Sequence, residues 1–179
     1  MQTKPSTPVV KGLIIALILI VVGFVGRLVH VDMESWFRWV SNLLLVIGII
    51  VSCVTYSNQL NHNVTFGNVF ADGFKTTAVV TCITIVFTVI IMMVMPEIKQ
   101  QIFDAAKEQA EKGGASDEMI QKQQEMMKSM FWVFMIGGIL LGYIVVGAIA
   151  SVIGAAIAKK NPQANNPFVQ VNQIGETQE

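Results

Sequence analysis

Hydrophobic positions form four long blocks along the chain, and polar positions fill the segments between them. The last block, residues 129–158, has no charged side chain. A helix of about 20 apolar residues crosses the roughly 30 Å hydrocarbon layer of a bilayer. Only helices and closed barrels satisfy their backbone hydrogen bonds in lipid, and these blocks lack the alternation of barrel strands. We therefore predict an all-α polytopic membrane protein with four transmembrane helices, over about 9–29, 39–56, 76–95 and 130–158.

The segment 96–128, between the third and fourth blocks, has a helical pattern of its own. Apolar residues repeat at helical intervals as far as Gly113 and Gly114, and Ser116 is positioned to cap a second helix. The pattern predicts a helical hairpin outside the membrane. Its second arm has a methionine-rich face, formed by Met119, Gln123, Met126, Met127 and Met130. This adaptable face either packs on the first arm or forms a surface for a partner.

Basic residues near the two ends of the chain predict its orientation. Four spans place both termini on the same side of the membrane. Lys4 and Lys11 have no acidic neighbours, and the lysine pair at 159–160 directly follows the last span. Because Lys and Arg next to a span favour the cytoplasmic side, we expect both termini to be cytoplasmic.

The segments before the first span and after the last one are polar. We predict a short cytoplasmic N-terminus over 1–8 and a disordered tail over 161–179. A signal peptide is the alternative to the first span, but no A-x-A-like cleavage site follows Phe24. Lys11 and Arg27 lie near the ends of this span, and we expect their long side chains to reach the lipid headgroups.

Aromatic and basic residues mark the predicted membrane interface. Tryptophan is enriched at that interface, and the topology places three of them on one side: Trp36, Trp39 and Trp132. Thr65 is positioned as the N-cap of a short amphipathic helix that leads into the third span. Lys75, at the end of that helix, either contacts anionic headgroups or marks the water boundary.

Small and hydroxyl-bearing residues predict how the helices pack. Lipid removes the hydrophobic drive between helices, so close backbone approach and polar contacts take its place. We expect two faces to turn inward, formed by Gly138, Gly142, Gly147 and Ser151 in the fourth span and by Thr77, Thr81, Thr84 and Thr88 in the third. The alternative to packing within the bundle is a dimer through Gly138 and Gly142.

Composition and the absence of motifs narrow the classes of function that the chain could have. The 179 residues are 53% hydrophobic and 13% charged with a formal net charge of zero, so no global field attracts nucleic acid. No ionisable residue falls in the middle of a predicted span, where proton relays and ion-coupled transporters keep one. The two cysteines and two histidines lack zinc-type spacing, and no catalytic motif is present. We expect no enzyme activity, no bound metal and no cofactor.

One region resembles a known family. Residues 65–76 read TFGNVFADGFKT and lead into a span that ends Met-Pro-Glu at 95–97. After a polar loop, a glycine-rich last span ends Ala-Lys-Lys-Asn-Pro at 158–162. In this order the chain, from about the first span to Pro162, resembles the bacterial membrane family designated domain of unknown function 4199. The resemblance implies four spans in the inner membrane and supplies no catalytic residues.

These features favour a protein that binds other helices over one that catalyses a reaction. We expect a non-catalytic accessory or assembly protein of the bacterial inner membrane. It would bind a membrane-protein partner, or a second copy of itself, through the helical loop and the fourth span. The alternative is an oligomeric channel or small transporter with a threonine-lined path. A membrane enzyme would need several surface residues to converge on one cavity: Asp32, Glu34, Asp72, Lys75 and Glu97.

Overall fold

The structure, a computed structural model, describes residues 6–29 and 35–161, and every regular element in these ranges is a helix. The helices are α1 (Pro8–Leu28), α2 (Ser35–Gln59), α3 (Phe66–Val94), α4 (Glu97–Lys112), α5 (Asp117–Ser129) and α6 (Phe131–Ile157). Four stretches are long and apolar enough to cross a membrane: Pro8–Leu28, Trp39–Gln59, Phe66–Val94 and Phe131–Ile157. The predicted fold class, a four-span helical protein with a hairpin in the third loop, is confirmed.

Some predictions concern residues outside the described ranges. The predicted disordered tail lies there from Pro162 onward, as does most of the N-terminal segment. The loop carboxylates Asp32 and Glu34 also lie outside the described residues.

Local signals explain where the helices begin and end. The hydroxyl of Thr65 accepts a hydrogen bond from the Asn68 N–H (3.2 Å), and that of Ser116 accepts one from the Met119 N–H (3.4 Å). Both predicted N-caps are therefore confirmed, and each satisfies an N–H that the first helical turn leaves without a partner. The break between the hairpin arms uses Gly114, whose φ of 74° is a conformation that glycine adopts without strain.

The chain forms two compact units. The first contains the described residues up to Val80 and from Ile144 onward, and the second is Thr81–Tyr143. Helices α3 and α6 contribute to both units.

The second unit contains the hairpin and has an aromatic core. Met92, Phe103 and Phe131 are buried together, and the rings of Phe103 and Phe131 meet edge to face with centroids 5.4 Å apart. The ammonium of Lys99 lies 4.8 Å from the Phe131 ring centroid, a cation–π distance. These contacts tie α4 to the start of α6.

In the first unit, glycines allow the helices to approach closely. A Cβ added to Gly12 of α1 would lie 2.7 Å from Val79 of α3, and one on Gly154 of α6 would lie 2.8 Å from Cys53 of α2. Such distances leave no room for a side chain. Packing through small residues is how helices associate where lipid supplies no hydrophobic drive.

Candidate functional site

The C-terminal half of α6 uses its small residues inside the first unit. Gly147 and Ser151 are both buried. A Cβ on Gly147 would collide with Cγ2 of Thr77, so the backbone of α6 rests directly on that side chain. The hydroxyl of Ser151 donates to the carbonyl of Gly147 (2.6 Å), which satisfies it within the helix.

Gly138 and Gly142 do not face inward as expected. Both are exposed, and no heavy atom of residues 6–29 or 35–161 lies within 4 Å of a Cβ added to either. The reason is the spacing along the helix. Gly147 follows Gly142 by five positions, which at 100° per residue is a rotation of about 500°, so the two sites lie roughly 140° apart around α6. The predicted single inward face is therefore two faces, of which one is packed and one is open.

The threonine face of α3 lies inside or at the edge of the helix packing. Thr77 and Thr81 are buried, and Thr84 and Thr88 are half-buried. The hydroxyl of Thr77 donates to the carbonyl of Gly73 (3.0 Å), and that of Thr88 donates to the carbonyl of Thr84 (2.8 Å). Bonds of this kind satisfy a hydroxyl within its own helix.

The residues predicted at the membrane interface are all on the surface. The tryptophan side chains Trp36, Trp39 and Trp132 are exposed, and so is that of Lys75. Exposure is what contact with lipid or water requires, whereas their depth in a bilayer stays a prediction.

A buried ion pair is the feature that sequence reasoning missed. Lys11 and Asp72 are only 8% and 4% exposed, and Nζ of Lys11 lies 2.9 Å from Oδ2 of Asp72. The prediction that the Lys11 side chain reaches the headgroups is therefore wrong. The pair lies within four residues of the start of α1 and seven of the start of α3, so the terminal turns of these spans contain charge although their middles do not.

Further polar groups complete this cluster. The hydroxyl of Ser52 donates to Oδ2 of Asp72 (3.4 Å) and lies 3.2 Å from the hydroxyl of Thr76. The ammonium of Lys11 also donates to the carbonyl of Ser52 (3.4 Å) and lies 5.0 Å from the ring centroid of Tyr56. The cluster thus joins α1, α2 and α3 through one carboxylate and one ammonium.

The contacts of the Lys11–Asp72 pair indicate what it can do chemically. An ammonium has three donors, and those of Lys11 have a carboxylate, a carbonyl and an aromatic face within reach. A buried pair is costly to break because one charge is left without a partner. This arrangement is typical of a fixed link between helices. Among the described residues, no group of three or more His, Cys, Asp or Glu side chains could hold a metal ion.

The position of Asp72 on α3 explains why it needs a partner, although the sequence alone does not identify that partner. Asp72 is spaced three or four residues from Val69 and Thr76, and all three are buried on one face of α3. A lone carboxylate on the buried face of a span requires a basic partner. Lys11 is the basic residue in the first turn of α1, and its neighbour Gly12 brings α1 against α3.

The methionine-rich face of the hairpin divides between two environments. Met127 packs against the core of Met92, Phe103 and Phe131. The other three methionines of that face are exposed: Met119, Met126 and Met130. Packing on the hairpin therefore accounts for Met127, whereas a partner surface at the three exposed methionines stays a prediction.

Comparison with known proteins gives a family and no activity. No curated protein and no solved structure matches the chain. The family model described as protein of unknown function (DUF4199) matches residues 11–160, which is most of the chain and includes the buried pair, the hairpin and both faces of α6. The chain belongs to the DUF4199 family.

Proposed function

We propose that this protein is a non-catalytic accessory or assembly protein of the bacterial inner membrane, and that it binds a membrane partner through α6 and the helical hairpin. The observation that carries the proposal is the open face of α6 at Gly138 and Gly142. A glycine in a helix interior costs about 0.5–1 kcal/mol relative to alanine. Among the described residues, neither glycine has a neighbour that would collide with a side chain, so the packing of that part of the chain does not account for them.

A second helix is the occupant that suits such a face. Two glycines four residues apart let another backbone approach closely, and this is a recurrent dimerisation pattern of membrane helices. Large apolar side chains border the glycines, since Phe134, Leu141 and Val145 are all at least half exposed. The glycines leave a shallow groove beside these apolar side chains, and a partner helix can pack into that groove without polar contacts.

The hairpin offers a second, softer surface to the same partner. Met119, Met126 and Met130 are exposed, and methionine adapts its shape to irregular apolar partners. Because α5 runs almost directly into α6, a partner that binds the open glycine face would extend naturally onto the hairpin.

The orientation and location are part of the proposal. Basic residues near both ends of the chain favour a cytoplasmic position for both termini. The hairpin would then stand on the periplasmic side, where it would meet the periplasmic part of the partner. The family resemblance supports the inner membrane of a bacterium as the location.

A threonine-lined path through an oligomer is supported less well. Such a path requires the threonine side chains to face water. The side chain of Thr77 is buried directly under Gly147, and its hydroxyl donates to a carbonyl of its own helix. These contacts favour a packing role for the part of the face that the first unit contains.

Co-purification from native membranes tests the proposal. The full-length protein would be isolated in mild detergent, and bound proteins identified by mass spectrometry. We expect a discrete partner, or a second copy of the chain, that is lost from a variant with Gly138→Leu and Gly142→Leu. Gly23→Leu is the matched control, because Gly23 of α1 also has open space around it. Recovery of the bare monomer, or equal recovery from both variants, would contradict the proposal.

A further inference from the structure

We propose that one edge of the first unit binds anionic phospholipid headgroups, through a surface formed by Phe66, Phe70, Phe74, Lys75 and Lys160. This surface, called here the Phe–Lys edge, goes beyond partner binding by α6 and does not rest on it. The partner is the lipid itself, recognised by the negative charge of its headgroup.

The aromatic part of the Phe–Lys edge is a column of rings along the start of α3. Phe66 and Phe70 are stacked with centroids 6.5 Å apart, and Phe70 and Phe74 with centroids 6.0 Å apart. Phe66 and Phe74 are exposed and Phe70 is half-buried. An apolar column next to lysines at the end of a span is the arrangement that settles into the boundary between headgroups and acyl chains.

The basic part of the edge comes from two helices that meet there. Lys160, just after α6, places its ammonium 5.4 Å from the Phe66 ring centroid. The N–H of Asn161 donates to the carbonyl of His62 in the turn before α3 (2.8 Å). These contacts bring the end of α6 to the beginning of α3, so that the charge of Lys160 and the phenylalanine column form one surface.

Lys75 supplies the strongest argument. Its side chain is exposed one residue after Phe74 and lies inside a stretch apolar enough to span the membrane. Among the described residues, no hydrogen bond or ion pair to its ammonium is found. An ammonium next to hydrocarbon is costly unless it reaches the headgroup layer, and there a lipid phosphate is the available counter-charge.

The charges in the first unit indicate which kind of headgroup the Phe–Lys edge prefers. Asp72 is the only acidic residue among the described residues of the first unit, and it is bound to Lys11 inside the bundle. Lys75, Lys159 and Lys160 are therefore not balanced by any carboxylate in that part of the chain. A basic edge of this kind favours a headgroup with net negative charge over a zwitterionic one.

Native mass spectrometry of the full-length protein in a neutral detergent tests the inference, with phosphatidylglycerol and phosphatidylcholine as the two probes. We expect phosphatidylglycerol to bind more tightly. Near a membrane surface each lysine is worth about fivefold in binding, so Lys75→Gln and Lys160→Gln should each lower the affinity for phosphatidylglycerol about fivefold and leave phosphatidylcholine unchanged.

Two variants make the result decisive. Lys75→Arg keeps the charge and should keep the preference, which separates lost charge from a disturbed fold. Lys107→Gln removes a lysine from α4, where it pairs with Glu111 (3.7 Å), and should not change lipid binding. Equal affinity of the wild-type protein for the two lipids would overturn the inference, and so would an equal loss in Lys107→Gln and Lys75→Gln. Either result would leave partner binding by α6 standing.

Discussion

Both halves of α6 contain glycines, and those glycines have opposite surroundings. In the C-terminal half, Gly147 rests on Thr77 and Gly154 rests on Cys53. In the N-terminal half, Gly138 and Gly142 face open space. A glycine in a membrane helix therefore indicates close approach without saying to what. Where the chain supplies the neighbour, the glycine contributes to the fold, and where it does not, the glycine is available to another molecule.

The largest predicted effect is a loss of stability at the buried pair of Lys11 and Asp72 in the first unit. Asp72→Asn leaves the ammonium of Lys11 buried without its counter-charge, and breaking such a pair costs about 3–5 kcal/mol of unfolding free energy. Unfolding by sodium dodecyl sulfate in mixed micelles, followed by far-ultraviolet circular dichroism, measures the loss.

The double variant Lys11→Gln, Asp72→Asn is the control for that loss. It removes both charges and leaves amides that can still hydrogen bond, so we expect it to recover most of the stability. If the single and double variants are equally unstable, the ionic contact is not what joins α1 to α3.

A smaller effect on stability is expected when the glycines in the two halves of α6 are each replaced by alanine. Gly147→Ala places a methyl group against Cγ2 of Thr77, and overpacking of this kind costs about 1–3 kcal/mol. The methyl group of Gly138→Ala meets no described residue, and because alanine favours helix the substitution should be neutral or stabilising by at most about 1 kcal/mol. The same mixed-micelle unfolding measures both. If the two substitutions destabilise the protein equally, Gly147 and Gly138 do not differ in how closely they are packed.

The smallest effect concerns the exposed hairpin. Lys112 donates to Glu108 (2.7 Å), and this hydrogen bond, together with the positive charge, lowers the pKa of the Glu108 carboxyl. A lowered pKa means that the contact is fully present above the ordinary glutamate pKa and is lost as the pH falls through the lowered one. Both side chains are solvated, so the contact contributes little.

Lys112→Gln is therefore expected to leave the thermal midpoint unchanged at pH 7. A clear fall, absent again in acid, would show that the hairpin depends on its surface charges more than on the core around Phe131. Thermal unfolding in detergent at the two pH values makes this comparison.

The parts of the structure that were predictable from sequence are local ones. The apolar blocks, the caps at Thr65 and Ser116 and the break at Gly114 each depend on a few neighbouring residues, and each lies where expected. In lipid, an unbroken apolar segment of this length without the alternation of a barrel strand satisfies its backbone hydrogen bonds as a helix.

The surroundings of individual side chains were less predictable, because they depend on how helices meet. Lys11 was expected at the headgroups and is buried, since only the folded bundle brings Asp72 to it. Gly142 and Gly147 were expected on one face, and their spacing of five residues places them on different ones. The first error needed tertiary information, whereas the second was a matter of helical geometry already present in the sequence.

Photocrosslinking from the open face tests the central claim most directly. A photoreactive residue would replace Leu141, which is 65% exposed beside Gly142, and, as a control, Val86, which is 59% exposed on α3. In intact membranes we predict a discrete protein adduct from position 141 and none from position 86. The adduct from position 141 should disappear when Gly138→Leu is added. The mass of the adduct would distinguish a second copy of the chain from another protein. No protein adduct from position 141, or the same adduct from both positions, would contradict the claim that this face binds a partner.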